Sequence, residues 1–398
     1  MSKIGNYSLS LAATAMSASI PVVSGIALAR FYGDDEFGRF AYWLALLAPL
    51  VLLLGGGVRS LQLSNAISGL TDQDYLCGRL IGIGLVLVLA LSSTILAHPD
   101  LYAASALAAS CVISIKLSEA ISENAQVVLF KRGEISKGAL VQVSRSVVFL
   151  LSMLFLAIIG LDSGGAIILA SAASVAMVAI FARGTIRASL SVLAAWAVIR
   201  RAATVSLSVF LITAMTSLPR VAAGSYGERD EFLAVSMIFP IVTLLTLGVT
   251  SMINVCLAGA SRMDLRERNG YANRLIAYGA LGGCVAALVL SPLAYIFGAD
   301  LVAVLYEIRV AEHALYAATS VGASIAVAQG LINGAIILLA ETRFLMVSVI
   351  TSSVLALTLL VFLPNGSVDV AMSATVAWCF FGLTHCLLCV LRIRILTK

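Results

Sequence analysis

Long apolar runs recur along almost the whole chain of 398 residues, and they restrict its fold more than any other feature. A helix needs about 20 apolar residues to cross the ~30 Å hydrocarbon core of a bilayer. Because backbone groups in lipid must be hydrogen-bonded within the protein, and because the runs lack strict alternation, they predict membrane-spanning helices instead of barrel strands. The twelve predicted spans cover approximately residues 8–30, 40–57, 79–97, 101–122, 139–159, 165–182, 203–223, 233–257, 274–296, 313–340, 345–363 and 370–391.

Charged side chains are too rare to cover a water-exposed surface. They make up 11% of the chain, whereas soluble proteins carry about 25%. This composition excludes a cytosolic enzyme, a disordered tail, a disulfide-stapled secreted domain and a nucleic-acid-binding protein, so membrane lipid is the expected surrounding. The polar segments are too short for a soluble catalytic domain, and no nucleotide-binding motif is present. We therefore expect no enzyme, no catalytic residue and no cofactor, and any energy input would come from a proton or sodium gradient.

The distribution of charge along the chain predicts its orientation. With a cytoplasmic N-terminus, 20 of the 25 Lys and Arg residues lie inside and 5 outside, while 8 of the 20 Asp and Glu residues lie inside and 12 outside. The inside segments then carry a net charge of +12 and the outside segments −7. Basic residues favour the cytoplasmic side of a membrane, so both termini are predicted to be cytoplasmic.

Sequence similarity between the two halves indicates an internal repeat. An even number of spans, six, in each half would start the second lobe in the same orientation as the first, which makes the repeat parallel. The sequence thus predicts an N-terminal lobe at 1–182, a cytoplasmic linker at 183–202 and a C-terminal lobe at 203–398, arranged around a central cavity. The matches, at offsets of 191 to 195 residues, pair Tyr32-Gly33 with Tyr226-Gly227, Glu36-Phe37 with Glu231-Phe232, Pro49–Ser60 with Pro240–Ser251, and Arg79–Gly84 with Arg274–Gly279.

In Ile26–Gly38, a helix ends in an Arg-Phe-Tyr-Gly turn followed by acidic residues, an aromatic and Gly. Two further segments are Leu301–Tyr306 and the short turn Leu338–Arg343. These three segments resemble the polysaccharide-exporting flippases of the Wzx type, in the MATE-like (MOP) exporter superfamily. Many relatives carry an acidic residue before the basic one at Pro219-Arg220, and Pro219 removes that partner here. Lipid II flippases and multidrug exporters share the same layout.

The resemblance implies a function for the predicted lobes. A Wzx-type flippase moves undecaprenyl-diphosphate-linked oligosaccharide units from the cytoplasmic to the periplasmic leaflet of the bacterial inner membrane by alternating access, for O-antigen or capsule assembly. Its expected partners are the lipid-linked glycan, a polysaccharide polymerase and chain-length machinery. A cation-coupled multidrug exporter of the same fold is the alternative, and a membrane polysaccharide polymerase is a third reading that the short outer segments disfavour.

Charged residues within predicted spans are candidate functional residues, because a charge at mid-bilayer costs at least ~2.5–3.5 kcal/mol. Lys116, Glu119 and Glu123 recur at helical spacing on one face of the fourth span. Glu123 and Arg145 lie eight residues on either side of the basic turn at Lys131–Lys137, so an antiparallel hairpin places them at the same depth. One reading is structural, with Glu123 paired to Arg145 and Lys116 to Glu119. The other is that this face lines the cavity and binds substrate or couples to an ion.

Three further cations have no evident local partner in the sequence. Arg59 follows the Gly55-Gly56-Gly57 run, while Arg30 and Arg220 are predicted at the outer ends of the first helix of each lobe. Snorkelling towards lipid headgroups would explain all three. The alternative is binding of diphosphate, because a planar guanidinium matches phosphate oxygens.

The cysteine and histidine pattern predicts no metal site. His385, Cys386 and Cys389 have a metal-like spacing, but they lie in the last span without a second ligand pair. We therefore interpret them as packing residues.

Overall fold

In the computed structural model, every regular element among the described residues is an α-helix. Eleven helices have both ends within these residues. They are α1 (Lys3–Tyr32), α2 (Asp34–Gly55), α3 (Asp72–Leu96), α4 (Ala106–Lys131), α5 (Ile135–Ile158), α6 (Ser163–Phe181), α7 (Val192–Tyr226), α8 (Leu265–Tyr306), α9 (His313–Leu338), α10 (Thr342–Phe362) and α11 (Val370–Leu396). Residues 229–239 form a further helical segment. The structure describes residues 3–55, 62, 70–96, 105–184, 191–239, 265–308, 310–339, 341–362 and 369–396.

Ten of the described helices are long and apolar enough to cross a membrane. Large apolar side chains are exposed on them, among them Ile158, Leu288 and Val361, each more than 70% exposed. Lipid is the solvent that such surfaces require, so the predicted all-helical, multi-pass membrane fold is confirmed. Among the helices with both ends in the described part, α4 is the one that does not meet this criterion. It carries three charged side chains in its second half, Glu119, Glu123 and Lys131.

Helices extend beyond the predicted spans because hydropathy marks only the part of a helix in contact with lipid. The fourth helix continues to Lys131, nine residues past the predicted span. At 1.5 Å per residue, the 42 residues of α8 measure about 63 Å, twice the hydrocarbon core. The predicted spans 274–296 and 313–340 leave Gly298–Glu312 between them as an outer segment. In the structure this segment is helical as far as Tyr306. Most of the predicted span 233–257 lies outside the described residues.

The chain divides into two compact units, unit 1 (Met1–Phe210) and unit 2 (Leu211–Lys398). The division falls inside α7, which begins within the predicted linker 183–202. The lobe boundaries predicted from the sequence stay a prediction, since residues 185–190 lie outside the described part.

The helices α4 and α9 each pack against several other described helices of their unit. In unit 1, α4 contacts α2, α3, α5 and α6, and in unit 2, α9 contacts α8, α10 and α11. Side chains of α4 therefore face other helices on several sides. This position explains how α4 tolerates charged and polar residues that a lipid-facing helix excludes.

Serine pairs join two helices of unit 1. In unit 1, Ser114 lies 3.1 Å from Ser171, and Ser118 lies 2.7 Å from Ser174. Both pairs join α4 to α6. Small polar residues allow helices in a membrane to approach closely and to form hydrogen bonds across the contact.

The internal repeat is visible at the start of each unit. Tyr32 and Tyr226 are the last residues of α1 and α7, and the glycine that follows each lies in the turn to the next helix. Phe37 and Phe232, matched in the sequence, are both fully buried. Gly33 has φ +92°, a conformation that residues with a side chain rarely adopt.

The glutamate before each of these phenylalanines contacts the start of the sixth helix of its unit. In unit 1 the hydroxyl of Ser163 donates to Glu36 at 3.0 Å. In unit 2 the backbone N–H of Ala371 donates to Glu231 at 3.4 Å. The second and last helices of each unit are thus joined by a glutamate at the same position of the repeat, although the donor is a side chain in unit 1 and a backbone N–H in unit 2.

Candidate functional site

The charged face of α4 is half-buried and internally paired. Lys116 Nζ lies 2.8 Å from Glu119 Oε2, which confirms the predicted contact between these two residues. One turn further on, Glu123 Oε2 accepts from Arg79 Nη1 of α3 at 3.0 Å. The side chains of Lys116, Glu119 and Glu123 stay 19%, 33% and 20% exposed. Charges exposed at this depth require water, which favours an aqueous environment for this face over lipid.

The predicted pairing of Glu123 with Arg145 is corrected by the structure. Glu123 pairs with Arg79, whereas Arg145 of α5 donates from Nε to Ser118 Oγ at 2.9 Å. Ser118 and Glu123 are five residues apart on α4, which places them about 140° apart around the helix. The sequence predicted that Glu123 and Arg145 lie at equal depth in the hairpin. Arg145, however, contacts the face of α4 that carries Ser118, and Glu123 lies on a different face.

Arg145 lies inside unit 1 and is held by hydroxyl groups. Its surface is 1% exposed. Besides Ser118, it contacts Ser17 of α1, to which Nη1 donates at 3.0 Å. Ser118 in turn lies against Ser174 of α6, so a single guanidinium joins α5 to α1 and α4. The geometry gives Arg145 a clear packing role, and its predicted role in substrate binding stays a prediction.

A polar network at the opposite end of unit 1 from the α1–α2 turn was not predicted. Lys131 Nζ lies 2.7 Å from Asp72 Oδ1, which also accepts from Gln62 Nε2 at 3.1 Å. The same amide donates to Asn124 Oδ1 at 3.0 Å. These contacts join the start of α3 to the end of α4. Asp72 is separated from Lys131 by 59 residues, so sequence spacing contained no signal for them.

Arg220 of α7 is the most isolated charge among the described residues of unit 2. It is 6% exposed, and its Nε is buried without a hydrogen-bond partner among the described atoms. Nη2 donates to Ser217 Oγ at 3.4 Å, and the guanidinium lies 3.8 Å from the ring centre of Phe239. The adjoining segment 240–264 lies outside the described residues, and its one acidic residue in the sequence is Asp264, at its far end.

The contacts of Arg220 include no opposite charge among the described residues. A cation–π contact contributes about 0.5–2 kcal/mol, whereas a charge within a membrane span costs at least ~2.5–3.5 kcal/mol. Arg220 lies six residues before the end of α7, or about 9 Å along the helix. Snorkelling from a helix end, one of the two readings of the sequence, does not describe a buried side chain at this depth.

The other two candidate cations are less informative. Arg30 is exposed in the last turn of α1. Arg59 lies outside the described residues. Their predicted roles in binding diphosphate stay predictions.

Two carboxyl groups outside the membrane-spanning segments have shifted acidities. The pKa of Glu134, in the α4–α5 turn, is lowered because the Lys137 side chain hydrogen-bonds to the carboxylate. The pKa of Glu231 is raised, chiefly by burial and further by the negative charges of Asp369, Glu228 and Glu312, although the Ala371 N–H lowers it.

The histidine of the last helix is satisfied by a neighbouring amide. His385 is fully buried, and its Nε2 donates to Asn333 Oδ1 of α9 at 2.7 Å. Cys389 Sγ lies 3.8 Å from the same nitrogen. Within the described part of the chain, no three His, Cys, Asp or Glu side chains are grouped so that they could hold a metal ion.

Comparison with solved structures identifies the fold. The lipid II flippase MurJ, in an inward closed conformation, matches with a TM-score of 0.68 at 13% identity, over 97% of this chain and 87% of that one. The MATE multidrug transporter DinF-BH, solved as a complex, matches with a TM-score of 0.66 at 16% identity, over 98% and 94% of the two chains. The eukaryotic MATE transporter AtDTX14 gives 0.66 at 13% identity, over 98% and 95%.

Sequence comparisons provide no closer assignment. No protein-family model matches the chain, and no curated protein matches it. The structural matches are all below 25% identical and extend over nearly the entire chain. They show that this protein has the fold of the MATE and MurJ transporters of the MOP superfamily.

Proposed function

We propose that this protein is a flippase that moves an undecaprenyl-diphosphate-linked oligosaccharide from the cytoplasmic to the periplasmic leaflet of a bacterial inner membrane. The observation that carries the proposal is Arg220, a guanidinium buried in a membrane span with no carboxylate contact among the described residues. An anionic ligand would supply the missing counter-charge. Diphosphate suits it, because its oxygens match the planar fork of a guanidinium.

The balance of charge in the candidate residues favours an anionic substrate. On and beside the charged face of α4 in unit 1, three bases, Arg79, Lys116 and Arg145, accompany two acids, Glu119 and Glu123. Both acids are paired with bases, at 2.8 Å and 3.0 Å, which leaves a positive surplus of one in this group, and Arg220 is a further buried base in unit 2. A site for organic cations would instead need unpaired acids.

In the proposed mechanism the chain's own residues bind and orient the head group. Arg220 would hold the diphosphate electrostatically, with Phe239 keeping the guanidinium plane in place. The polyprenyl tail would stay in lipid. Alternating access would expose the bound head group to one side of the membrane at a time. Both termini would be cytoplasmic, and a polymerase with its chain-length machinery would use the product.

Reconstitution tests the proposal directly. The protein is placed in liposomes that contain a fluorescent polyprenyl-diphosphate oligosaccharide, and a membrane-impermeant lectin reports the sugar on the outer leaflet. We expect the lectin-accessible fraction to rise faster than in protein-free liposomes. Equal rates in the two preparations would refute flipping.

The variant Arg220→Gln tests the site. A hydrogen bond to a charged group contributes about 1.5–3 kcal/mol, so the flipping rate should fall about 10- to 100-fold. Stability should be unchanged or higher, because the buried charge is removed. The control is Arg200→Gln, an exposed arginine of the same helix, which should keep the wild-type rate. Full activity of Arg220→Gln would exclude Arg220 from the site.

A multidrug exporter coupled to a cation gradient is the second candidate. The matches to MATE transporters favour it, including the multidrug transporter DinF-BH. Transport of a cationic dye such as ethidium in the same liposomes, without any flipping of the lipid, would support this function. The charge surplus described above predicts the opposite result.

A further inference from the structure

Glu231 is buried at the end of unit 2 where α7 ends and α11 begins. It is 7% exposed and lies two residues before the predicted span 233–257. The carboxylate accepts from the backbone N–H of Ala371, in the first turn of α11, at 3.4 Å. A carboxylate in this position stabilises the positive end of a helix dipole, and that contribution depends on the charge of the carboxylate.

Among the described residues, the charges that shift the pKa of Glu231 are acidic. Asp369 precedes α11, Glu312 precedes α9, and Glu228 lies in the turn after α7. Arg229 and Asp230, in the same turn as Glu228, are exposed. Burial and these three acids together favour the protonated carboxyl, and so the pKa of Glu231 is raised.

The repeat counterpart of Glu231 has the opposite environment. Glu36 lies 2.7 Å from Arg39, three residues later on α2. At the matching position after Glu231 the chain has Ala234, which is fully buried. Both glutamates contact the sixth helix of their unit, but Glu36 pairs with a cation, whereas the described charges that act on Glu231 are acidic. The difference is specific to unit 2, so the repeated packing does not explain it.

We propose that Glu231 is a proton-binding site of unit 2, and that its protonation stabilises the packed state in which it contacts the N-terminus of α11. In that state the carboxyl group joins the segment 229–239 to α11 through the Ala371 N–H. Proton uptake weakens this one hydrogen bond, but it removes the negative charge that burial and the neighbouring acids disfavour, so loss of the proton favours separation of the segment from α11. This proposal rests on the proposed transport function and extends it, because protonation of Glu231 would couple a proton gradient to transport.

Infrared spectroscopy of the purified full-length protein tests proton binding without any substrate. Spectra are recorded in steps between about pH 8 and about pH 4, and the carbonyl stretch of a protonated carboxyl group is followed. We expect the wild type to gain one such band at a higher pH than ordinary carboxyl groups do, and Glu231→Gln to lack it. Glu231→Asp should restore a titrating band. An unchanged spectrum in Glu231→Gln would overturn the proposal.

Thermal stability in detergent provides a second measurement with a defined sign. A carboxyl with a raised pKa in the folded state favours folding at acidic pH, and this contribution is lost as pH rises through the folded pKa. Glu231→Gln keeps an acceptor for the Ala371 N–H and carries no charge. It should therefore melt above the wild type at neutral pH, and the difference should vanish on acidification. A difference that does not change with pH contradicts the proposal.

The flipping assay separates this inference from the proposed function. With a pH gradient imposed on the liposomes, Glu231→Gln should lose the acceleration that the gradient gives the wild type, while Glu36→Gln should keep it. If wild-type liposomes flip no lipid but the infrared band titrates, the proposed function fails and the proton site stands. If the wild type flips lipid but Glu231→Gln retains its response to the gradient, the proton site fails.

Discussion

The ion pair between Glu123 and Arg79 offers the sharpest test of the helix packing in unit 1. We consider the single variants Glu123→Gln and Arg79→Gln together with their double variant. The two charged groups lie 3.0 Å apart, and 6% of the arginine side chain and 20% of the glutamate side chain are exposed. Since the arginine is the more deeply buried of the two, the single variants should differ in cost.

The expected magnitudes follow from the distance and the burial. At 3.0 Å and an effective dielectric constant of about 20, the gross attraction is about 5–6 kcal/mol, most of which offsets desolvation. Breaking a buried pair costs about 3–5 kcal/mol when it leaves a buried charge. Glu123→Gln leaves Arg79 in that state and should approach this range. Arg79→Gln leaves the partly hydrated Glu123 and should cost less, about 1–3 kcal/mol.

Unfolding in mixed detergent micelles, followed by circular dichroism, measures these free energies. A double-mutant cycle for Glu123 and Arg79 should give a coupling energy of about 1–3 kcal/mol. The same cycle with Arg145→Gln in place of Arg79→Gln should give a smaller value, because hydroxyl groups hold Arg145. The reasoning is refuted if Glu123 couples more strongly to Arg145 than to Arg79, which would restore the pairing predicted from the sequence.

Two further variants have matched controls within the chain. Gly322→Ala should lower the unfolding free energy by about 1–3 kcal/mol through overpacking, since a Cβ there would lie 2.4 Å from the Trp378 ring. In the control Gly282→Ala the added Cβ meets open space, so this variant should be neutral or slightly stabilising. Equal unfolding free energies of the two variants would contradict the packing around Gly322. Tyr32→Phe should cost about 1 kcal/mol, because its hydroxyl donates to a backbone carbonyl at 2.6 Å. Tyr226→Phe, the repeat counterpart, is 84% exposed and should change the midpoint of thermal unfolding very little, so a larger loss there than at Tyr32 would refute the argument.

Interactions between near neighbours on one helix were predictable from the sequence. Lys116 and Glu119 are three residues apart and pair as expected, because helical spacing alone brings them together. The Glu123–Arg79 pair spans 44 residues and depends on how α3 packs on α4. The repeat had singled out Arg79, but only as a match to Arg274, which is exposed in the structure.

Burial of the candidate arginines was not predictable in the same way. The sequence placed Arg30 and Arg220 alike, at the outer ends of equivalent helices. The structure exposes the first and buries the second against Phe239. The partners of a buried arginine depend on the groups that the folded structure places beside its guanidinium, and the position of the arginine along its helix does not reveal them.

Hydropathy along the chain was sufficient to predict the helical, multi-pass fold, and residue matches between the two halves were sufficient to predict the repeat. The fold follows from the requirement that every backbone group in lipid be paired inside its own helix, which is a local property of the sequence. The partners of Glu123, Arg145, Arg220 and Glu231 were not predictable from local sequence. Each depends on the rotation of one helix against another. If a helix turns about its own axis by about 100°, the angle between consecutive residues, its side chains point in new directions at unchanged depth. Packing between helices sets that rotation.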